Sequence, residues 1–212
     1  MITRERYCRA FLAVSALVLL SLAGLPQVAA QGNDYSKFTM HGGVGLLNPL
    51  GDSSDVLNTG YTVTIGGGYN FSKQLGLVAE YNFHRPGFDQ SMAKSLANGG
   101  VNDEVVGTGK IWAFTGNPVF RMNRPGKVNF YVIAGAGIYQ RRLGLSITTT
   151  KSTGATTTSR TLVNTGFGIN FGGGATWEMF QGFKGYVEAR YHHAFTDGTD
   201  IQLVPISVGI RW

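Results

Sequence analysis

Alternate residues of this chain belong to two different chemical sets, and that period of two constrains the fold more than any other feature. Tyr61, Val63, Ile65, Gly67, Tyr69 and Phe71 alternate with Thr62, Thr64, Gly66, Gly68 and Asn70. Successive side chains of a strand point to opposite faces, so such a segment lays one apolar face against one small or polar face. Leu75 to His84, Phe167 to Glu178 and Val204 to Trp212 alternate the same way. Four further segments fit the period less strictly: Phe38 to Leu47, Ile111 to Arg121, Val128 to Arg141 and Lys184 to Phe195. Ile111 to Arg121 turns Trp112, Phe114 and Phe120 to one face, whereas Val128 to Arg141 is apolar on both faces and leaves its phase open. The pattern predicts about eight strands of roughly 10 residues, the length that a tilted strand needs to cross a bilayer.

The connections alternate between short and long. Short ones fall at Ser72-Lys73-Gln74, Asn123-Arg124-Pro125-Gly126 and Phe180-Gln181-Gly182, and long ones at Asn48 to Thr59, Arg85 to Glu104 and Arg142 to Leu162. The connection near Thr196-Asp197-Gly198 is brief. Short inner turns and longer outer loops are the asymmetry of outer-membrane barrels, and an even strand number puts both termini on the inner side.

Residues 1–30 read as a cleavable secretory signal. Arg4, Arg6 and Arg9 precede an apolar run from Ala10 to Leu25, Pro26 breaks it, and Val28-Ala29-Ala30 sets the expected cut before Gln31. The run is too short for a spanning helix of about 20 residues. Residues 31–212 are then expected to form one domain. Cys8 is the sole cysteine of the chain, so the mature part has no thiol for disulfides or metal binding, and no cysteine marks a lipid anchor at the cut. Formal charge is +6, falling to about +4 without the signal, with no basic run; nucleic acid is not an expected partner.

The non-apolar face of the strands is rich in glycine and threonine, where a water-facing surface would carry more Lys and Glu. Aromatic residues gather near strand ends, as in the girdles at membrane interfaces: Tyr61, Tyr69, Phe71, Tyr81, Phe83, Trp177, Tyr191, Phe195 and Trp212. The expected fold is therefore all-β, a transmembrane antiparallel up-and-down β-barrel in the bacterial outer membrane.

Several segments carry a family resemblance: Gly66-Gly67-Gly68-Tyr69, Tyr131 to Gly137, Gly172-Gly173-Gly174, Glu188-Ala189-Arg190-Tyr191, and the ending Pro205 to Trp212. They resemble the OmpA-like and OmpX-like small outer-membrane β-barrel domains, including opacity-type surface proteins. The resemblance covers nearly all of residues 31–212. It implies a barrel inserted among outer-membrane lipid and lipopolysaccharide, and it speaks to architecture more than to activity. No peptidoglycan-binding domain is expected beyond Trp212. The ending also resembles the signal read by the barrel-assembly machinery, through Trp212 with Ile210, Val208 and Ile206 in phase and Gly209 between them.

The inner face is expected to carry Glu80, Glu178 and Glu188 against Arg121, Arg190 and Arg211. Buried charges need partners, so these six should pair across the lumen and close it. That favours a structural or surface-interaction role; the alternative is a narrow porin-like channel for small solutes. A membrane-embedded lipid hydrolase ranks behind both. Lipid A deacylases place a serine two residues after a histidine, whereas Ala194 and Phe195 follow His192 and His193 at that spacing. His192 and His193 point to opposite faces and cannot jointly chelate a metal. His84 and His192, with Glu80 and Glu188 below them, are the one constellation that a metal or acid–base site could use. No enzyme, cofactor or metal is expected. Arg142 to Leu162 is crowded with Ser and Thr and reads first as a solvated loop. Leu145 and Ile147 begin an alternation, however, so a projecting hairpin able to meet an extracellular partner is the second reading.

Overall fold

In a computed structural model the chain forms a closed barrel of eight antiparallel strands, each paired with its neighbours in sequence and β1 with β8. The structure describes residues 36–54, 57–88, 103–122, 127–151, 154–180, 182–196 and 200–212. The expected signal segment, 1–30, lies outside them. The strands are β1 (Phe38–Pro49), β2 (Leu57–Asn70), β3 (Leu75–Phe88), β4 (Asp103–Met122), β5 (Val128–Lys151), β6 (Gly154–Phe180), β7 (Phe183–Phe195) and β8 (Ile201–Arg211). A short 3-10 turn at Gly51–Ser53 lies between β1 and β2.

The period of two becomes the two faces of the wall. Tyr61, Ile65, Tyr69, Leu77, Tyr81, Phe114, Phe120, Phe167, Phe171, Val208 and Ile210 are exposed on the outside, while Thr62, Thr64, Glu80, Asn82, Thr115 and Ser207 are buried within. The phase of β5, open in the sequence, is settled: Tyr131, Ile133 and Tyr139 are buried and Phe130, Val132 and Ile138 exposed.

Aromatic rings form two belts on the outer wall. At the short-turn end Phe38 packs edge-on against Tyr69 and Tyr69 against Phe71, each pair at 5.4 Å between centroids. Phe183 meets Phe180 at 4.8 Å and Trp212 at 6.0 Å. At the other end Tyr61, Phe83 and Trp112 form a chain of rings at 6.3 and 6.0 Å. From Trp112 to Met122 the strand runs about 33 Å, or about 25 Å of barrel height once tilted, matching a bilayer's apolar band.

The largest departure from expectation lies at the outer end. Arg142 to Leu162 is not a loop. β5 and β6 pair without interruption out to Lys151 opposite Gly154, and β4 follows them to Asp103 opposite Thr149. Threonine's preference for extended backbone outweighs low complexity here. Opposed hydroxyls add cross-strand hydrogen bonds, Ser146 to Ser159 at 3.0 Å and Thr148 to Thr157 at 3.1 Å. Leu143, Leu145 and Ile147 give the sheet an apolar inner side. The connection expected from Asn48 to Thr59 is shortened from both sides by β1 and β2. In the one expected from Arg85 to Glu104, strand continues to Phe88 and resumes at Asp103.

Inner-face glycines make room for the rings of neighbouring strands. A Cβ at Gly209 would stand 2.6 Å from Tyr186 Cε1, and one at Gly43 would collide with the Tyr186 hydroxyl. At Gly174 a Cβ would overlap the Val187 carbonyl oxygen and stand 2.7 Å from the Tyr131 hydroxyl. Elsewhere backbone itself is in the way: a Cβ on Gly137 would overlap the Phe114 carbonyl oxygen and lie 2.7 Å from Thr115 Cα, whereas one on Gly116 meets nothing within 4 Å. Gly137→Ala should therefore lower the urea unfolding midpoint of the refolded barrel, at a cost of about 1–3 kcal/mol. Gly116→Ala should leave it within about 0.5 kcal/mol. Equal midpoints for the two variants would contradict this packing.

Candidate functional site, a filled lumen

The centre of the barrel is built on Arg190 of β7. Its guanidinium forks onto Glu80 of β3, with Nη1 donating to Oε2 and Nη2 to Oε1. Nη2 also donates to Glu188, two residues earlier on the same face of β7. His41 Nε2 of β1 lies 2.9 Å from Glu80 Oε1. Asn117 Nδ2 of β4 donates to Glu80 Oε2 at 2.8 Å, and Tyr131 of β5 donates its hydroxyl to Glu188 Oε2 at 2.9 Å. Asn170 of β6 extends the chain by donating to Asn117 Oδ1 at 3.0 Å. One arginine and its partners thus tie β1, β3, β4, β5, β6 and β7 together across the lumen. Arg190, Glu80 and Glu188 are all buried, so each charge relies on these bonds in place of water.

Toward the outer end the lining passes to a histidine pair and then to an apolar cluster, with Arg141 buried opposite Ile111 at the same end. His84 and His192 meet edge-on at 5.4 Å. Nδ1 of His84 pairs with the Thr62 hydroxyl and Nδ1 of His192 with that of Tyr139, both at 2.9 Å. Among the described residues, no group of three or more His, Cys, Asp or Glu is placed to hold a metal. Above the histidines a buried cluster closes the barrel, comprising Leu47, Leu57, Ile111, Ala113, Tyr139, Ala194, Ile201 and Leu203. A second apolar cluster, Val78, Val119, Tyr131 and Ile133, lies below the central charges.

Of the six charged residues expected in the lumen, the structure joins three: Glu80, Glu188 and Arg190. Glu178 is a correction. It has the inward phase but stands exposed at the short-turn end, opposite Lys184, where the strand has left the lumen. Arg211 is buried, but its neighbours are rings rather than a carboxylate, with Tyr131 at 4.9 Å and Tyr186 at 5.6 Å. Arg121 is half-buried near Arg211 and beside Gly76. Among the described ion pairs neither arginine takes part, because Arg190 already engages both buried carboxylates. Sequence reading missed His41, Asn117 and Tyr131 as partners, although alternation with Met40 and Val44 marks the face of His41. Ile206, Val208 and Ile210 are exposed on the outer wall as expected, and the Trp212 backbone exchanges hydrogen bonds with Met40 at 2.8 and 2.9 Å.

A closed eight-stranded wall, apolar outside, belted with aromatics and filled inside, defines a transmembrane β-barrel. The profile of the outer membrane protein beta-barrel domain matches residues 15–212. The chain belongs to that family, and its place is the bacterial outer membrane. Among solved structures it is similar to Neisserial surface protein A, at 13% identity and TM-score 0.55, covering 83% of this chain and 96% of that one. A major outer membrane protein from Thermus thermophilus superposes with TM-score 0.54 at 10% identity, covering 82% and 97%. The attachment invasion locus protein of Yersinia pestis matches at 18% identity with TM-score 0.48, covering 84% and 100%. At such identities the likeness is one of fold. No curated protein sequence matches the chain.

Removing Glu80 would leave Arg190 with Glu188 alone and take from His41 its carboxylate, and losing one partner of a buried pair costs about 3–5 kcal/mol. Glu80→Ala should therefore lower the urea midpoint strongly, and Glu188→Ala less, since Arg190 keeps its fork on Glu80. Glu178→Ala should fall within about 0.5 kcal/mol of the parent. Equal, small shifts at Glu80 and Glu178 would mean that the central charges are solvated.

Proposed function

We propose that this protein is a closed, non-enzymatic outer-membrane barrel whose role is structural and surface-interactive. The observation that carries the reading is the filling of the lumen: the Arg190 network occupies its middle and the apolar cluster from Leu47 to Leu203 caps its outer end. The surface role rests on the β4–β5–β6 sheet that rises beyond the aromatic belt. Pairing between β6 and β7 begins at Phe167 opposite Phe195, so residues 154–163 of β6 are paired on the β5 side alone among the described residues. That exposed, threonine-rich edge suits an extracellular protein that adds a strand. Residues 1–30 serve as the export signal, cut before Gln31, and lipopolysaccharide surrounds the outer belt.

Planar bilayers containing the refolded protein should show no discrete conductance steps. Regular single-channel currents would favour the narrow-channel alternative and overturn the closed-lumen reading.

Trp212 with Ile210, Val208 and Ile206 forms the segment read by the barrel-assembly machinery. Trp212→Ala with Ile210→Ala should slow insertion in a reconstituted assembly assay without changing strand content once folded. An unchanged rate would remove this assignment.

A further inference from the structure

The short-turn end of the lumen holds an arginine whose donors are not used. Arg211 of β8 is 6% exposed, and its Nε and Nη1 make no hydrogen bond among the described residues. The guanidinium carbon lies 4.9 Å from the centre of the Tyr131 ring and 5.6 Å from that of Tyr186. Rings cover the faces of a guanidinium but leave its N–H edge open, and a buried charged donor without an acceptor is costly. Arg121 of β4 lies nearby, so two like charges share this end. In register, Glu178 of β6 stands opposite Lys184 of β7, and Lys184 opposite Arg211. That carboxylate is therefore one strand farther from Arg211 than the lysine is.

Unused acceptors stand beside these donors. Asn70 of β2 donates its Nδ2 to the Ser36 carbonyl at 2.7 Å, and its buried Oδ1 accepts no hydrogen bond. Asn70 Oδ1 and Arg121 Nη1 lie 2.7 and 3.3 Å from the point that a Cβ on Gly76 would occupy. A glycine on β3 thus lets an acceptor from β2 and a guanidinium from β4 converge. His41 of β1 is the register partner of Arg211; its Nε2 faces Glu80, and its buried Nδ1 is unused as well. With the ring proton on Nε2, Nδ1 is an acceptor.

A ligand that serves both sets must accept from two guanidinium groups and also donate. Hydrogen phosphate does so, since its oxygens match the fork of an arginine and it keeps an O–H. Sulfate has the same shape and only accepts. These side chains face the lumen, whereas lipid meets the opposite face of the wall, so the ligand comes from water and not from a headgroup.

We infer that Arg211 and Arg121, with Asn70 and His41, form a binding site for inorganic phosphate at the inner mouth of the barrel. The compartment that supplies it is the periplasm, by the orientation proposed above.

The test is isothermal titration calorimetry of the full chain, refolded in detergent, with inorganic phosphate at neutral pH and constant ionic strength. Parallel titrations use sulfate. A hydrogen bond to a charged group is worth about a tenfold gain in affinity or more. Arg211→Gln and Arg121→Gln should each lose about tenfold, and the double variant on the order of a hundredfold. The parent should prefer phosphate to sulfate by about tenfold, and Asn70→Ala should narrow that preference. Lys110→Gln, on the outer wall at the far end, should lose nothing. Heat-modifiable gel mobility verifies folding of each variant, and Arg211→Lys, which keeps the charge without the fork, should fall between the parent and Arg211→Gln. Asp34 precedes β1 and lies outside the described residues; Asp34→Asn should leave the affinity unchanged. A tenfold gain from that variant would make the chain's own carboxylate the occupant and overturn the site. So would the absence of saturable phosphate binding by the parent, parent-like binding by the double variant, or equal affinity for sulfate. Conductance in planar bilayers is independent of these outcomes, so a failure here is distinguishable from a failure of the closed-lumen reading.

Discussion

Inside a bilayer a backbone N–H or C=O has no water to turn to, and each one left unpaired costs several kcal/mol. A strand can meet that requirement only with a neighbour on both sides, and a sheet only by closing on itself. The pairing of β1 with β8, from His41–Arg211 to Pro49–Leu203, is the closure on which everything else depends. With eight strands it fixes a narrow interior. The interior must then be filled by the side chains that the period of two sends inward. The polar network, the two apolar clusters and the glycines that admit large rings are three solutions to one filling problem.

The filling is graded along the barrel. The paired charges hold the middle, where Arg190 can reach carboxylates on two strands, and apolar clusters flank them above and below, with Arg141 buried toward the outer end and Arg211 toward the short-turn end. This grading strengthens the ion pairs by keeping water out, and it makes each partner costly to remove. It also separates the barrel's work into zones. The inside holds the wall together, the belts fix its depth, and the prolonged β4, β5 and β6 carry whatever faces the exterior.

Strand positions and faces were legible because lipid and lumen impose opposite chemistry on successive residues. β2, β3 and β8 could be traced nearly residue by residue. Depth was not legible. Glu178 has the same phase as inward residues of β6, but phase says which way a side chain points and not whether the lumen still surrounds it. Leu47, Leu57 and Leu203 were hard to foresee for the opposite reason, since apolar residues on the inner face look like breaks in the pattern. Arg211 eluded pairing arguments because two tyrosine rings cover a guanidinium without appearing in a count of charges. The projecting hairpin was hidden by composition: tracts of Ser and Thr suit a loop as well as an extended ladder, and only a partner strand decides between them.

The Tyr186 ring rests against Gly43 on β1 and Gly209 on β8, which are the two strands of the closing seam and are paired with each other. Those strands come from opposite ends of the domain, so their union is the pairing that draws in the whole chain at once. β7 presents the ring beside β8, and β1 completes its cover. When the seam zips, the same movement that satisfies the last edge hydrogen bonds also lowers a glycine lid over the ring. Closure and burial are then a single event, and the barrel behaves as a latch with its bolt already in place.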